Sequence, residues 1–147
     1  KKWTDRKNEY YQKYLEEITK ADILDDMEAK LNKLKAEGFK LAVGSSSRNA
    51  RKVLKQLKIT DLFDTISDGN SVEHAKPAPD LFLHTAEKLD LEPEECVVLE
   101  DAKSGIEAAL AANMKAVGVG PEERVGKAHL VYANVDNIDF DEILAKF

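Results

Sequence analysis

Cys96-Val97-Val98-Leu99-Glu100-Asp101-Ala102-Lys103-Ser104-Gly105-Ile106 joins an apolar run, two acidic residues and a turn of small residues. The apolar run predicts a short strand that is buried on both faces, and the turn predicts a helix from Gly105 to Met114. Ligands of parallel α/β sheets collect at the carboxyl ends of the strands. Glu100 and Asp101 are therefore candidate ligands for a hard cation such as Mg2+. In the alternative, Asp101 caps the helix and Glu100 is a solvated turn residue.

Length and composition narrow the class of protein. The 147 residues suit one domain with a hydrophobic core. The net charge of -6 argues against a partner bound through nucleic-acid phosphates. The sequence contains no apolar segment of membrane-spanning length and no recognisable signal peptide. The single cysteine, Cys96, excludes an internal disulfide and favours a reduced setting, so we expect a cytoplasmic protein without a nucleic-acid or membrane partner.

A run of hydroxyl residues follows a second predicted strand. The strand is Phe39–Gly44, and the residues after it are Ser45, Ser46, Ser47, Arg48 and Asn49, at the start of a predicted helix Ala50–Leu57. Backbone N–H groups at a helix start, serine hydroxyls and an arginine all suit a phosphate. In the alternative, a serine simply caps the helix and the arginine is a surface residue.

A lysine in a proline-containing loop follows the next predicted strand, Phe63–Ile66. Lys76 lies in the segment His74-Ala75-Lys76-Pro77-Ala78-Pro79-Asp80, where the two prolines restrict the backbone. A lysine on a stiff loop is a suitable point charge for phosphate. In the alternative, it is an ordinary surface lysine.

The remaining pattern predicts a Rossmann-like parallel α/β sheet with flanking helices. Strands are predicted at 115–120 and 129–132, and helices at 25–37, 80–89 and 138–147. Three strand ends then carry serines with an arginine, a lysine, and an acidic pair. Phosphoryl transfer needs this combination of hydrogen-bond donors, a cation and a metal site.

These segments, in this order, resemble the haloacid dehalogenase (HAD) superfamily and its β-phosphoglucomutase-like group. Leu41-Ala-Val-Gly-Ser-Ser-Ser-Arg-Asn-Ala50 is similar to the family's second motif, Lys76-Pro-Ala-Pro-Asp80 to its lysine motif, and Leu99-Glu-Asp-Ala-Lys-Ser-Gly-Ile106 to its metal motif. The opening Asp5–Tyr11 resembles the end of the family's helical cap. We therefore expect residues 1–20 to be a remnant of the cap and residues 21–147 to be the C-terminal part of the α/β core.

The resemblance implies Mg2+-dependent phosphoryl transfer between β-glucose 1-phosphate and glucose 6-phosphate, through a bisphosphate intermediate and an aspartyl-phosphate enzyme. Ser45 and Lys76 would hold the transferring phosphoryl group, while Glu100 and Asp101 would bind or orient Mg2+. The residues implied for the sugar-phosphate site are Ser45, Ser46, Ser47, Arg48, Asn49 and Lys76. A sugar-phosphate phosphatase of the same superfamily and a non-catalytic phosphate-binding fragment are the alternatives.

The sequence departs from the family at its first motif. A strand ending in Asp-x-Asp-Gly, which supplies the nucleophile and the acid–base aspartate, does not occur in these 147 residues. In the family this strand lies in the middle of the sheet, and its loss would leave two unpaired edges. We therefore expect this chain to be inactive alone and to be completed by a preceding segment, in cis or in trans.

Overall fold

The structure is a computed structural model that describes residues 27–147, and its strands form two parallel sheets. The first sheet pairs β1 with β2, with Val43 opposite Ile66. The second sheet has the order β3-β4-β5, with Leu99 opposite Val117. The strands are β1 (Ala42–Gly44), β2 (Thr65–Ser67), β3 (Val97–Glu100), β4 (Lys115–Val119) and β5 (Leu130–Tyr132).

Within the described part of the chain, six α-helices and three short 3-10 helices connect and cover these strands. The α-helices are α1 (Met27–Ala36), α2 (Ala50–Gln56), α3 (Asp80–Lys88), α4 (Lys103–Ala111), α5 (Glu122–Val125) and α6 (Phe140–Lys146). The 3-10 helices are Thr60–Leu62, Pro93–Glu95 and Val135–Asn137.

The core lies on both faces of the second sheet. Successive residues of a strand point to opposite faces, so Ala116 packs with Phe82 of α3 and Ile106 of α4, whereas Val117 packs with Tyr132 and with Ile143 of α6. Ala116 and Val117 are both fully buried. The layered α/β arrangement is the physical reason for the unbroken apolar runs in the sequence.

Two predicted helix ends have the backbone that their residues favour. Gly38 has φ +94°, and the N–H groups of Gly38 and Phe39 donate to the carbonyls of Lys35 and Leu34, which closes α1 in a Schellman motif. Asn113 follows α4 with φ +62°. Both residues therefore follow their helices in the left-handed backbone conformation that glycine and asparagine adopt most readily.

The predicted Rossmann-like parallel α/β fold is confirmed, but the prediction that strand Cys96–Leu99 is buried on both faces is wrong. Leu99 keeps 38% of its surface exposed. The reason is that β3 pairs with β4 on one edge only, and no strand of the described residues lies between β3 and β1. No described strand pairs with these edges of β1 and β3, and we call the gap between the two edges the strand slot.

The domain boundary predicted at residues 20 and 21, and the cap helix predicted before it, lie outside the described residues. Within residues 27–147, none of the helices has both the length and the apolar character needed to cross a bilayer.

Candidate functional site

A cavity of about 600 Å³ opens where β1 and β3 end. Parallel strands place their carboxyl ends at one edge of a sheet, so the loops after β1 and β3 meet there. The cavity brings together six of the eight predicted site residues: Ser45, Ser46, Ser47, Lys76, Glu100 and Asp101.

Lys76 is held at the inner end of this cavity with only 10% of its side chain exposed. Its Nζ donates to the Gly44 carbonyl oxygen at 3.2 Å and to Glu100 Oε2 at 2.8 Å. It also lies 4.6 Å from the centroid of the Phe82 ring, within the range of a cation–π contact. The surface-lysine alternative is therefore wrong, since the ammonium links the ends of β1 and β3.

Glu100 is nearly as buried as Lys76, with 11% of its side chain exposed. Its Oε1 accepts the backbone N–H groups of Asp101 and Ala102 at 3.1 and 3.2 Å, while Oε2 faces Lys76. Both carboxylate oxygens thus have protein partners, so Glu100 is not a solvated turn residue.

Asp101 has a different environment, because it is exposed and lines the cavity. The N-cap of α4 is Ala102, and no side chain caps this helix, so the capping alternative for Asp101 is not observed. An exposed carboxylate suits Mg2+, which binds one or two carboxylates and keeps water or phosphate oxygens as its other ligands. Among residues 27–147 no three His, Cys, Asp or Glu side chains lie together to form a complete metal site.

The serine loop is ordered by its own hydroxyl groups. Ser45 Oγ accepts the N–H of Ser47 at 3.1 Å, and Ser47 Oγ accepts the N–H of Asn49 at 3.1 Å. A hydroxyl that accepts in this way still has its proton to donate, so both serines can donate to an anion in the cavity. No serine side chain caps α2, whose N-cap is Asn49 without a side-chain cap bond.

Two predicted site residues, Arg48 and Asn49, do not line the cavity. Arg48 is exposed, and its Cγ lies close to Gly69 in the loop after β2. The arginine is therefore beside the cavity rather than in it.

Sequence reasoning missed the loop after β2 as a support for the serine loop. Asp68, which is 5% exposed, accepts the N–H of Asn70 at 2.9 Å and lies 3.4 Å from Arg51 Nε of α2. A Cβ on Gly69 would lie 2.5 Å from the Ser46 carbonyl oxygen. The Asp-Gly pair after a strand is a turn signal, but nothing in the sequence indicates which loop it touches.

Cys96 is half-buried beside the core, and its Sγ donates to the Glu92 carbonyl oxygen at 3.5 Å. Burial raises the pKa of the thiol, and the nearby Glu95 and Glu94 raise it further. A protonated thiol is a poor nucleophile, so these surroundings favour a packing role for Cys96 over a catalytic one.

Comparison with known proteins gives the family. The family model described as haloacid dehalogenase-like hydrolase matches residues 1–119. The chain belongs to this family.

Within the family, the chain is similar to β-phosphoglucomutases. It is 40% identical to β-phosphoglucomutase of Bacillus subtilis over 136 residues, covering 92% of this chain and 60% of that protein. The crystal structure of β-phosphoglucomutase from Clostridium difficile superposes with a TM-score of 0.91 at 40% identity, covering 97% of this chain and 64% of that one. The chain therefore spans less than two thirds of the length of these relatives.

The chain is also similar to sugar-phosphate phosphatases. A fructose-1-phosphate phosphatase of Escherichia coli is 44% identical over 79 residues, covering 54% of this chain and 42% of that protein. A phosphorylated carbohydrates phosphatase of Thermotoga maritima is 37% identical over 114 residues, covering 76% of this chain and 53% of that protein.

Proposed function

We propose that this chain forms the phosphate- and metal-binding part of an enzyme that transfers phosphoryl groups of sugar phosphates with Mg2+. The observation that carries the proposal is the buried ammonium of Lys76, fixed between two strand ends beside the serine loop and Asp101. A fixed cation and preorganised donors stabilise the charge on a phosphoryl group in transfer. The similarity to β-phosphoglucomutases and sugar-phosphate phosphatases supports this substrate class.

The proposed roles follow from the chemistry of each side chain. Ser45 donates a hydroxyl hydrogen bond to the transferring phosphoryl group, and Lys76 balances its charge. Asp101 binds Mg2+, which when bound neutralises charge on the phosphoryl oxygens, and Glu100 orients Lys76 and supports the metal site. The residues proposed to contact the sugar phosphate beyond the reacting group are Ser46, Ser47, Arg48 and Asn49.

We favour a mutase that converts β-glucose 1-phosphate to glucose 6-phosphate, with a sugar-phosphate phosphatase as the second candidate. A mutase has to hold one phosphate while it transfers another. Arg48 suits that task because it lies beside the cavity and apart from Lys76. The phosphatase candidate is supported by the relatives that are named phosphatases.

An assay of the full-length protein separates the two candidates. β-Glucose 1-phosphate is supplied with and without glucose 1,6-bisphosphate, and glucose 6-phosphate and free phosphate are both measured. Formation of glucose 6-phosphate that depends on the bisphosphate supports the mutase. Release of free phosphate without glucose 6-phosphate supports the phosphatase.

We further propose that a segment outside residues 27–147 fills the strand slot and supplies the nucleophile, in cis or in trans. No described strand pairs with the edges of β1 and β3 that face the strand slot. Residues that follow β1 and residues that follow β3 both line the cavity. A parallel strand in the slot would end beside Lys76 and Asp101. The first motif of the family would bring its aspartates to this position.

Complementation tests this second part of the proposal. The 147-residue chain is mixed with a separate polypeptide that carries an apolar strand followed by Asp-x-Asp-Gly, and a matched polypeptide with both aspartates changed to asparagine is the control. We expect turnover only with the aspartate version. A complex that forms but stays inert favours the non-catalytic alternative, while full turnover by the chain alone contradicts the need for the segment.

A further inference from the structure

Gly105 lies inside the first turn of α4, where a glycine is a poor choice for helix stability. Glycine loses more conformational freedom than alanine when it becomes helical. Gly105 is also buried, so the choice of glycine is not explained by an exposed position at which residue type has little effect. It has a negative φ, unlike Gly38 and Gly120. Its backbone conformation therefore does not require glycine, and the reason has to lie in its surroundings.

The surroundings are the carboxylate of Glu100. A Cβ on Gly105 would lie 2.0 Å from the Glu100 carboxyl carbon, 2.1 Å from Oε2 and 2.2 Å from Cγ. Non-bonded carbon atoms do not approach so closely. Any side chain at position 105 is therefore incompatible with the Glu100 conformation that accepts the N–H groups of Asp101 and Ala102 and binds Lys76.

We propose that Gly105 is a positioning residue, which keeps open the space that Glu100 needs to hold Lys76 at the cavity. The clash falls on the far end of a flexible side chain, so an alanine at this position displaces the Glu100 carboxylate and leaves the helix intact. Lys76 then loses its carboxylate partner, and its remaining contacts among residues 27–147 are the Gly44 carbonyl and the Phe82 ring. The effect of Gly105 on catalysis depends on the function proposed above, whereas its effect on Lys76 does not.

Acylation of lysines by acetic anhydride, followed by mass spectrometry, measures the placement of Lys76 without any assay of activity. Lys76 is protected by burial and by its ion pair, and the exposed Lys103 at the start of α4 serves as the internal reference. In Gly105→Ala we expect the labelling of Lys76 relative to Lys103 to rise severalfold, because the ammonium has lost its carboxylate partner. Labelling unchanged from the wild type would overturn the proposal.

The Glu100→Ala background separates positioning from an ordinary packing effect. Without the Glu100 side chain there is no clash, so Gly105→Ala should add nothing to the labelling of Lys76 in the double variant. An equal rise in both backgrounds would mean that Gly105 acts through the helix itself and would overturn the proposal.

Turnover of the full-length protein is then measured in the same four variants. When Glu100 is present, Gly105→Ala should lower turnover by about tenfold. In the Glu100→Ala background, it should cause no further loss of turnover. If no variant turns over a sugar phosphate but the labelling pattern holds, the proposed function fails and the positioning role of Gly105 stands.

Discussion

The Lys76 side chain is only one-tenth exposed, and three neighbours among the described residues replace the water that its ammonium has lost. The Gly44 carbonyl and the Glu100 carboxylate accept its protons, and the Phe82 ring presents its electron-rich face. The sequence predicts the lysine from its prolines and the acidic pair from its strand, but it does not predict that the two are bound to each other. That pairing divides the acidic residues into a lysine-bound Glu100 and an exposed Asp101.

Replacing Lys76 with alanine removes the fixed cation and leaves Glu100 without its lysine. In the full-length protein we expect kcat to fall by roughly 100- to 1000-fold, the scale for the loss of one transition-state contact. The free energy of unfolding should fall by about 1–3 kcal/mol because a nearly buried carboxylate loses a partner. Steady-state kinetics and urea unfolding measure the two effects. Lys103→Ala, at the exposed start of α4, should change neither, and near-normal turnover in Lys76→Ala would contradict its role.

Because Gly69 has no side chain, the loop after β2 can approach the serine loop closely. In Gly69→Ala the new Cβ would lie 2.5 Å from the Ser46 carbonyl oxygen, which is backbone and cannot rotate away. We expect the serine loop to shift, with a loss of about 1–3 kcal/mol in stability from overpacking and weaker binding of phosphate. Phosphate titration followed by NMR and urea unfolding measure these effects. Asn70→Ala changes an exposed side chain of the same loop and should leave both unchanged. Unaltered phosphate binding in Gly69→Ala would rule out the support that we assign to this loop.

At the scale of helices and strands, local sequence signals predicted which elements form but not the residues at which they begin and end. Strand 39–44 is observed only as Ala42–Gly44, and strand 63–66 as Thr65–Ser67. Before β2, Phe63 packs against a core cluster without strand pairing, whereas Phe39 before β1 is exposed. Sequence periodicity does not separate such residues from paired strand residues. The four-residue helix Glu122–Val125 and the 3-10 helices are too short to give a period. The contacts of Gly69 and Gly105 depend on tertiary packing, which no local pattern encodes.

Tyr132 joins the last strand to the last helix. Its hydroxyl donates to Glu142 Oε2 at 2.6 Å and contacts the Asp139 carbonyl oxygen at 3.2 Å. Burial, and then the hydrogen bond to Glu142, raise the pKa of Tyr132 from 10.0 to about 12. The folded state thus favours the neutral phenol, so this contribution to stability is complete below pH 10 and is lost as the pH rises towards 12.

Tyr132→Phe removes the titrating hydroxyl and keeps the ring that packs on Val117. We expect the wild type to lose more stability than the variant when the pH is raised from just below 10 towards 12, because only the wild type has this group to ionise. Urea unfolding at pH values on either side of 10 measures the difference. Equal losses in the two proteins would show that the Tyr132 hydroxyl does not control the attachment of α6.

At the scale of the whole molecule, the two sheets are joined on one face and at one end. Helix α3 packs against β1, β2 and α4, and its Phe82 lies against Gly44 and in the core with Ile106. Lys76 ties the carboxyl ends of β1 and β3 together. No described strand lies in the strand slot, and Leu99 of β3 keeps 38% of its surface exposed. The contacts of Lys76 therefore hold the described site residues together without a strand paired between β1 and β3.

A charge at position 99 tests whether the strand slot is filled in the full-length protein. In the 147-residue chain, Leu99→Lys changes a side chain with 38% exposure and should cost less than about 1 kcal/mol. In the full-length protein a strand in the slot would bury position 99, and an unpaired lysine there should cost about 3 kcal/mol or more. Leu110→Lys, on the outer side of α4 at 36% exposure, is the matched control and should cost little in both proteins. Urea unfolding of the four variants gives the comparison. Equal costs of Leu99→Lys in the short and full-length proteins would mean that no strand occupies the slot, and the nucleophile would then have to reach Lys76 by another route.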